Sequence, residues 1–143
     1  MYDALKLRNQ LCFPLYACSK EIVRHYTPYL DEINLTYTQY LVMMYLWENN
    51  KSNVKILGEA LFLDSGTLTP LLKKLEEKGY IIRSRDKIDE RNLNIEITKS
   101  GMKLREKALK IPMEIGSCIN LTEEEAKFLY QILYKIIKNV EER

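Results

Sequence analysis

The side chain in this sequence best suited to redox chemistry is that of Cys12, with tyrosines at positions 16, 26 and 37. A thiolate is the form that a hydroperoxide oxidises to a sulfenic acid, and phenolic hydroxyls are donors that can hold it. Pro14 lacks an N–H and is tolerated in the first turn of a helix. If a helix begins there, Cys12 stands at its N-terminus, where backbone N–H groups and the helix dipole favour the thiolate. The alternative is a buried cysteine that fills space.

The other candidate groups exclude several kinds of chemistry. Three cysteines, Cys12, Cys18 and Cys118, are too few for a disulfide scaffold and lack the paired spacing of a zinc site, so neither a metal nor a cofactor is expected. Cys18 is interpreted as a small buried filler. The single histidine, His25, has no paired nucleophile motif and gives hydrolytic chemistry little support.

The composition indicates one globular domain. The chain has 143 residues, 46% hydrophobic and 29% charged, and its net charge of +2 is too small to diagnose a nucleic-acid partner. No run approaches the roughly 20 apolar residues of a membrane span, and the start of the chain lacks the order of a signal peptide. We therefore expect a cytoplasmic protein without a membrane partner.

The elements that must position these residues are mostly helices. The pattern predicts helices over about 9–31, over 36–49 with Thr36 or Thr38 as cap, and over 54–61 after Asn53. A fourth opens at Asp64 and ends near Gly79. Its inward stripe has leucines at i, i+3, i+4 and i+7, namely Leu68, Leu71, Leu72 and Leu75.

The second half of the chain begins with a change of period. Residues 80–86 and 93–97 read as strands around a charged tip at 87–92. A helix then runs from Thr98 or Ser100 to about Cys118. Thr122 with Glu125 forms a capping box that opens the last helix, to about Val140. The fold class is mainly α with a small β-hairpin wing.

Three helices followed by a hairpin form a winged helix-turn-helix. The second helix of such a motif, here the segment from Ser65 to Lys78, lies in the major groove of DNA. Hydroxyls at the start of that helix can bond phosphates or base edges, its lysines can neutralise phosphates, and Arg91, oriented by Asp89, can reach the minor groove. The alternative is a solvated charged surface. The candidate DNA contacts are Ser65, Thr67, Thr69, Lys73, Lys74, Arg83, Arg85, Asp89 and Arg91.

The segment 64–76, followed by Asp89-Glu90-Arg91 and residues 93–98, resembles the MarR family of transcription regulators. Residues 9–13, Tyr26 and residues 35–40 resemble its organic-hydroperoxide-sensing branch. The resemblance implies a homodimer on an inverted-repeat DNA operator. Its helical dimerisation region would comprise 5–35 and 99–143, and its DNA-binding lobe 36–98.

The resemblance also implies roles for the sensor residues. It places the peroxide-reactive thiol at Cys12 and its hydrogen-bonding tyrosines at Tyr26 and Tyr37, with Tyr16 a lesser candidate. Cys118 of the other subunit, or a low-molecular-weight thiol, would resolve the sulfenic acid.

The function expected is that of a redox-sensing repressor, not an enzyme, which leaves its operator when organic hydroperoxide oxidises Cys12. Two alternatives remain open. One is a MarR-type regulator that responds to a phenolic ligand in the dimer cleft. The other is a thiol peroxidase that uses an activated Cys12.

Overall fold

The computed structural model describes residues 2–142, which form seven α-helices and three short β-strands. Two 3-10 turns, Asp3–Leu5 and Leu7–Asn9, precede the first helix. None of the described helices has the length and apolar run needed to cross a membrane. The helices are α1 (Cys12–Glu32), α2 (Tyr37–Asn49), α3 (Val54–Leu61), α4 (Ser65–Glu77), α5 (Lys99–Ala108), α6 (Ile111–Ile119) and α7 (Glu123–Glu141), and the strands are β1 (Lys51–Asn53), β2 (Ile81–Arg85) and β3 (Leu93–Ile97).

The first helix begins at Cys12, three residues later than the sequence pattern predicts. Pro14 explains the difference, because its ring would clash with the carbonyl of residue 10 in a helix that started earlier. Side-chain amides hold the preceding turns instead: Asn9 Nδ2 donates to the Asp3 carbonyl at 2.6 Å and Gln10 Nε2 to the Ala4 carbonyl at 2.7 Å. Pro14 therefore lies in the first turn, and Cys12 stands at the helix N-terminus.

The helices of the predicted helix-turn-helix begin where their caps predict. Thr36 closes a capping box with Gln39 at the start of α2, Asn53 accepts from the Ile56 N–H at α3, and Asp64 accepts from the Thr67 N–H at α4. At the other end of α4, Gly79 has a φ of 82°, the left-handed conformation that favours glycine.

The three strands form an antiparallel sheet in the order β1, β3, β2. The predicted hairpin of β2 and β3 is confirmed, with Ile81 opposite Ile97 and Arg85 opposite Leu93. β1 is an addition that the pattern does not predict. It has three residues, with Lys51 opposite Glu96 and Asn53 opposite Asn94, and it exists only because β3 offers it a partner.

The single helix predicted from Thr98 or Ser100 to Cys118 is wrong, because the structure divides it into α5 and α6. Thr98 caps α5 as expected. Pro112 accounts for the break, because a proline cannot continue a helix without losing a hydrogen bond and displacing the carbonyl four residues earlier. The chain also divides near this point into two compact units, one through Ile111 and one from Pro112 onward.

The core of the first unit is built from apolar faces of α2, α3 and α4 and the inner face of the sheet. All four leucines of the predicted α4 stripe are buried. Met43, Leu46, Leu57 and Ile95 are completely buried beside them. In the second unit, α7 begins with the predicted Thr122–Glu125 capping box.

Candidate sensor cluster and DNA-binding surface

Cys12 is the first residue of α1 and is exposed within the described chain, so this chain alone does not bury it as a filler. Large apolar side chains flank it: Leu11 is 83% exposed and Phe13 44% exposed. Apolar side chains of this size gain free energy when they are covered. The thiol thus lies within an apolar surface that this chain does not itself bury.

Four aromatic rings form a cluster between α1 and α2, which we call the aromatic cluster: Tyr26, Tyr37, Tyr40 and Trp47. Tyr26 and Tyr37 meet edge to face with ring centroids 4.9 Å apart. Tyr40, only 2% exposed, lies beneath them at 5.8 Å from Tyr26 and 6.4 Å from Tyr37. Such pairs stabilise one another beyond the area they bury, so the cluster fixes both predicted sensor tyrosines in relation to each other.

The hydroxyls of the aromatic cluster are held in their neutral form. Burial raises the pKa of Tyr26, with a contribution from Tyr37, and burial also raises the pKa of Tyr37. Burial first, and then the nearby Tyr26 and Tyr37, raises the pKa of Tyr40 to about 12. A neutral phenol is a hydrogen-bond donor, which is what a neighbouring thiolate requires.

The structure does not bring Cys12 and the aromatic cluster together within one chain. Cys12 and Tyr26 lie on the same continuous helix, almost four turns apart. At about 1.5 Å of rise per residue, this separation is about 21 Å along the axis. Tyr16 is one turn from Cys12, is 60% exposed, and lies beneath Lys20 Nζ at 5.4 Å from its ring centroid.

The other two cysteines are also exposed. The prediction that Cys18 is a buried filler is therefore wrong for the described chain, because the face of α1 that carries it is not covered by this chain. Cys118 lies in α6.

The outward face of α4 carries the predicted DNA contacts. The hydroxyl residues Ser65, Thr67 and Thr69 and the lysines Lys73 and Lys74 are all exposed, opposite the buried leucine stripe. Thr69 Oγ1 donates to the Ser65 carbonyl at 2.7 Å, which leaves its lone pairs to accept from a ligand. The arrangement offers small hydroxyl groups near the helix start and cations one to two turns later.

Arg83, also a predicted DNA contact, binds an acidic side chain of this chain. Its backbone N–H donates to Glu76 Oε2 at 2.8 Å, and its Nε and Nη2 both donate to Glu76 Oε1 at 3.1 Å. Hydrogen bonds from this backbone N–H and guanidinium lower the pKa of Glu76. Because Glu76 engages the guanidinium, Arg83 joins α4 to β2. The signal in the sequence was an acid and a base on consecutive elements.

The tip of the wing presents two arginines. Arg91 Nε donates to Asp89 Oδ1 at 3.0 Å, and the arginine side chain stays 91% exposed. Hydrogen bonds from Arg91 lower the pKa of Asp89, so the carboxylate stays ionised. Arg85 is also exposed, with Nη1 donating to the Glu90 carbonyl at 3.4 Å. The predicted orientation of Arg91 by Asp89 is confirmed.

Comparison with known proteins identifies the class. The model of the family described as transcriptional regulator SarA/Rot matches residues 24–108. The chain is 45% identical over 142 residues to the organic hydroperoxide resistance transcriptional regulator of Bacillus subtilis, which covers 99% of this chain and 97% of the relative. It is 50% identical over 120 residues to the transcriptional regulator SarZ of Staphylococcus aureus, covering 84% of this chain and 81% of the relative.

Solved structures agree. The structure of reduced AbfR bound to DNA matches with a TM-score of 0.80 at 36% identity, covering 97% of both chains. A structure of disulfide-formed AbfR matches with a TM-score of 0.66 at 36% identity, covering 99% of this chain and 97% of that one.

The fold and the exposed polar face of α4 define a winged-helix transcription regulator. The chain belongs to the MarR family, in the branch of the organic hydroperoxide resistance regulator that it resembles. It is a redox-sensing DNA-binding regulator and not an enzyme, which removes the thiol peroxidase alternative.

Proposed function

We propose that two copies of this chain bind an inverted-repeat operator while Cys12 is reduced, and that oxidation of Cys12 by an organic hydroperoxide releases the DNA. The observation that carries the proposal is that one DNA-binding chain has both an exposed thiol at the start of α1 and, at a distance from it, a cluster of neutral tyrosines. Region 36–98 is the proposed DNA-binding lobe, and regions 5–35 and 99–143 are the proposed dimerisation region.

The separation of Cys12 from Tyr26 supports a sensor shared between two subunits. Because about 21 Å of helix lies between them, a Tyr26 hydroxyl that holds the thiolate of one copy would come from a second copy. Tyr26 and Tyr37 are the proposed donors, and Tyr16 is a further candidate. A dimer in which the two α1 helices run in opposite directions would form two identical sensor sites, as an isologous interface requires.

Exposed apolar side chains support this dimer. They lie beside Cys12 at Leu11 and Phe13, and they recur along α7 at Phe128 (65% exposed) and Tyr130 (64% exposed). A monomer rarely leaves large contiguous apolar patches in water. We infer that both regions are covered by the second subunit.

The oxidation step needs the thiolate, the hydroperoxide and a proton from water. The sulfur of Cys12 attacks the terminal peroxide oxygen and the O–O bond breaks. The sulfur keeps that oxygen and its hydrogen as the sulfenic acid, and the alkoxide leaves and takes a proton from water to become the alcohol. A second thiol then forms a disulfide with Cys12 and water departs. That thiol is Cys118 of the other subunit or a low-molecular-weight thiol, and either product changes the volume around the tyrosines.

The DNA contacts proposed for the reduced dimer are those exposed in the structure. The start of α4 with Ser65, Thr67 and Thr69 would face base edges and phosphates. Lys73 and Lys74 would neutralise phosphates, and the wing would extend Arg91 towards the minor groove with Arg85 behind it.

The test is a gel shift with an inverted-repeat duplex that the reduced protein has selected from a random-sequence pool. Cumene hydroperoxide should release the wild type and leave Cys12→Ser bound, because a serine hydroxyl does not form a sulfenic acid. Cys18→Ser is the matched control and should respond like the wild type. Equal release of Cys12→Ser would refute the sensor role. Dithiothreitol should restore DNA binding to the oxidised wild type. If it fails to do so for Cys118→Ser, Cys118 is the resolving thiol, because without it the Cys12 sulfenic acid would oxidise further.

A regulator of phenolic ligands remains the alternative, favoured by the three neighbouring tyrosines of the aromatic cluster. Salicylate would then raise the melting temperature of Cys12→Ser as much as that of the wild type. If hydroperoxide fails to release the wild type while salicylate releases it, the alternative replaces the proposal.

A further inference from the structure

Lys78, the C-cap residue directly after α4, reaches away from the DNA-binding face. Its Nζ donates to the Asn34 carbonyl at 2.5 Å and to Gln39 Oε1 at 3.1 Å. Asn34 lies in the turn between α1 and α2, and Gln39 lies in the first turn of α2. A single ammonium group therefore joins the end of α4, the helix proposed to recognise DNA and called the recognition helix below, to the segment that connects α1 and α2.

The acceptor on α2 is already part of a cap. Gln39 is 3% exposed, and its Oε1 also accepts from the Thr36 N–H at 3.0 Å. Thr36 Oγ1 in turn accepts from the Gln39 N–H at 3.3 Å. The capping box that sets the direction of α2 thus shares one oxygen with Lys78, and the proposed sensor tyrosine Tyr37 is one of the two residues between its members.

The ammonium group of Lys78 is partly buried, so its contacts differ from those of a fully exposed lysine. Burial lowers the pKa of Lys78, with a further contribution from Lys74, so the ammonium is partly withdrawn from water. A partly desolvated donor loses more when its acceptors move than an exposed one does. Asn34 has a φ of 55°, so the carbonyl that faces Lys78 belongs to a tight left-handed turn with a defined direction.

We propose that Lys78 is the positioning residue that transmits the state of the sensor to the recognition helix. A displacement of Tyr37 moves the first turn of α2, which carries Gln39 Oε1 with it, while Asn34 follows the end of α1. Lys78 cannot keep both acceptors when they separate, so α4 shifts with one of them. The proposal rests on the proposed function, because oxidation of Cys12 is the event that displaces the tyrosines.

Four variants separate this role from a structural one. Lys78→Met keeps the aliphatic length and removes the donors. Lys78→Arg keeps a charge and donors and should restore part of the coupling. Gln39→Glu keeps the capping box, which accepts either residue, and gives Lys78 a charged partner. Lys103→Met, an exposed lysine on α5, removes the same charge elsewhere and is the matched control.

The first measurement is the dissociation constant for the selected operator duplex, reduced and after hydroperoxide with a small thiol. Couplings of this kind typically change affinity about 5- to 150-fold. The quantity compared is the ratio of the oxidised to the reduced dissociation constant. Reduced Lys78→Met should bind DNA within about threefold of the wild type, but its ratio should be smaller than the wild-type ratio by at least about four-fifths. Gln39→Glu and Lys103→Met should keep that ratio. A folded Lys78→Met with the full wild-type ratio overturns the inference.

The second measurement needs no DNA. Amide hydrogen exchange should quicken on oxidation at the first turn of α2 and the last turn of α4 in the wild type, and only at α2 in Lys78→Met. An equal response of α4 in Lys78→Met, or no response of α4 in the wild type, overturns the inference. If oxidation leaves the DNA affinity of the wild type unchanged, the proposed function fails, and the exchange pattern still decides the role of Lys78.

Discussion

Substitution of Tyr40 by phenylalanine should remove a component of alkaline unfolding. Tyr40 is 2% exposed, and its pKa is raised from its ordinary value near 10 to about 12. In the unfolded chain the phenol ionises near pH 10, whereas in the folded chain it stays neutral until about pH 12. A raised folded-state pKa in an acid therefore contributes stability below pH 10, which is lost as the pH rises from 10 towards 12.

The magnitude follows from the shift. Each pKa unit corresponds to about 1.36 kcal/mol, so a shift of about two units corresponds to at most about 2.7 kcal/mol, and solvent screening reduces this to about 1–2 kcal/mol. Tyr40→Phe has no proton to lose. Its unfolding free energy should therefore fall less steeply than that of the wild type between pH 10 and 12, by about that amount.

The assay is urea unfolding at fixed pH from 8 to 12, followed by the fluorescence of Trp47, whose ring centroid is 6.3 Å from that of Tyr40. The protein concentration is held constant, because a dimer's stability depends on it. Tyr45→Phe, a half-buried ring on the same helix outside the aromatic cluster, is the control and should follow the wild type. Parallel curves for wild type and Tyr40→Phe from pH 9 to 12 would refute the reasoning.

Three further outcomes follow from single positions. Gly101→Ala should lower the melting temperature by roughly 5 °C or more, because a Cβ there would lie 2.3 Å from the Tyr80 carbonyl oxygen. Gly116→Ala is the control, because its added Cβ would meet no atom within 4 Å. Equal melting temperatures for the two variants would contradict this prediction. Lys73→Gln should reduce the slope of log affinity against log salt by about 1 for every operator sequence, and an unchanged slope would remove Lys73 from the phosphate contacts. Arg91→Ala should weaken binding to duplexes with A·T-rich flanks more than to those with G·C-rich flanks, whereas equal losses would argue against minor-groove contact.

Local chemistry made much of the fold predictable. Helices α2, α3, α4 and α7 begin where Thr36, Asn53, Asp64 and Thr122 place their caps, because an N-cap acts over only two or three residues. The two errors in helix boundaries both lie at prolines. Pro14 delays the start of α1, and Pro112 divides the predicted fifth helix.

The candidate site was predictable in its residue types and less so in its contacts. The sequence indicates that Cys12 and two tyrosines belong to one sensor, but Tyr26 lies far along α1 from Cys12 and beside Tyr37 instead. Arg83 has the charge of a DNA contact, yet Glu76 holds it. Whether a cation faces a phosphate or a carboxylate depends on which elements pack together, and charge clustering along the chain does not report that.

By itself, the sequence determined the winged helix-turn-helix, the stripe of leucines that buries α4, and the hydroxyl and lysine face that remains outside. These follow from periodicity and capping, which act within a few residues. Only the tertiary structure decided the third strand, the aromatic cluster around Tyr40, and the contacts of Lys78 with Asn34 and Gln39. Each of these depends on atoms that are distant in the chain, and their positions are set by how the helices pack rather than by any local preference.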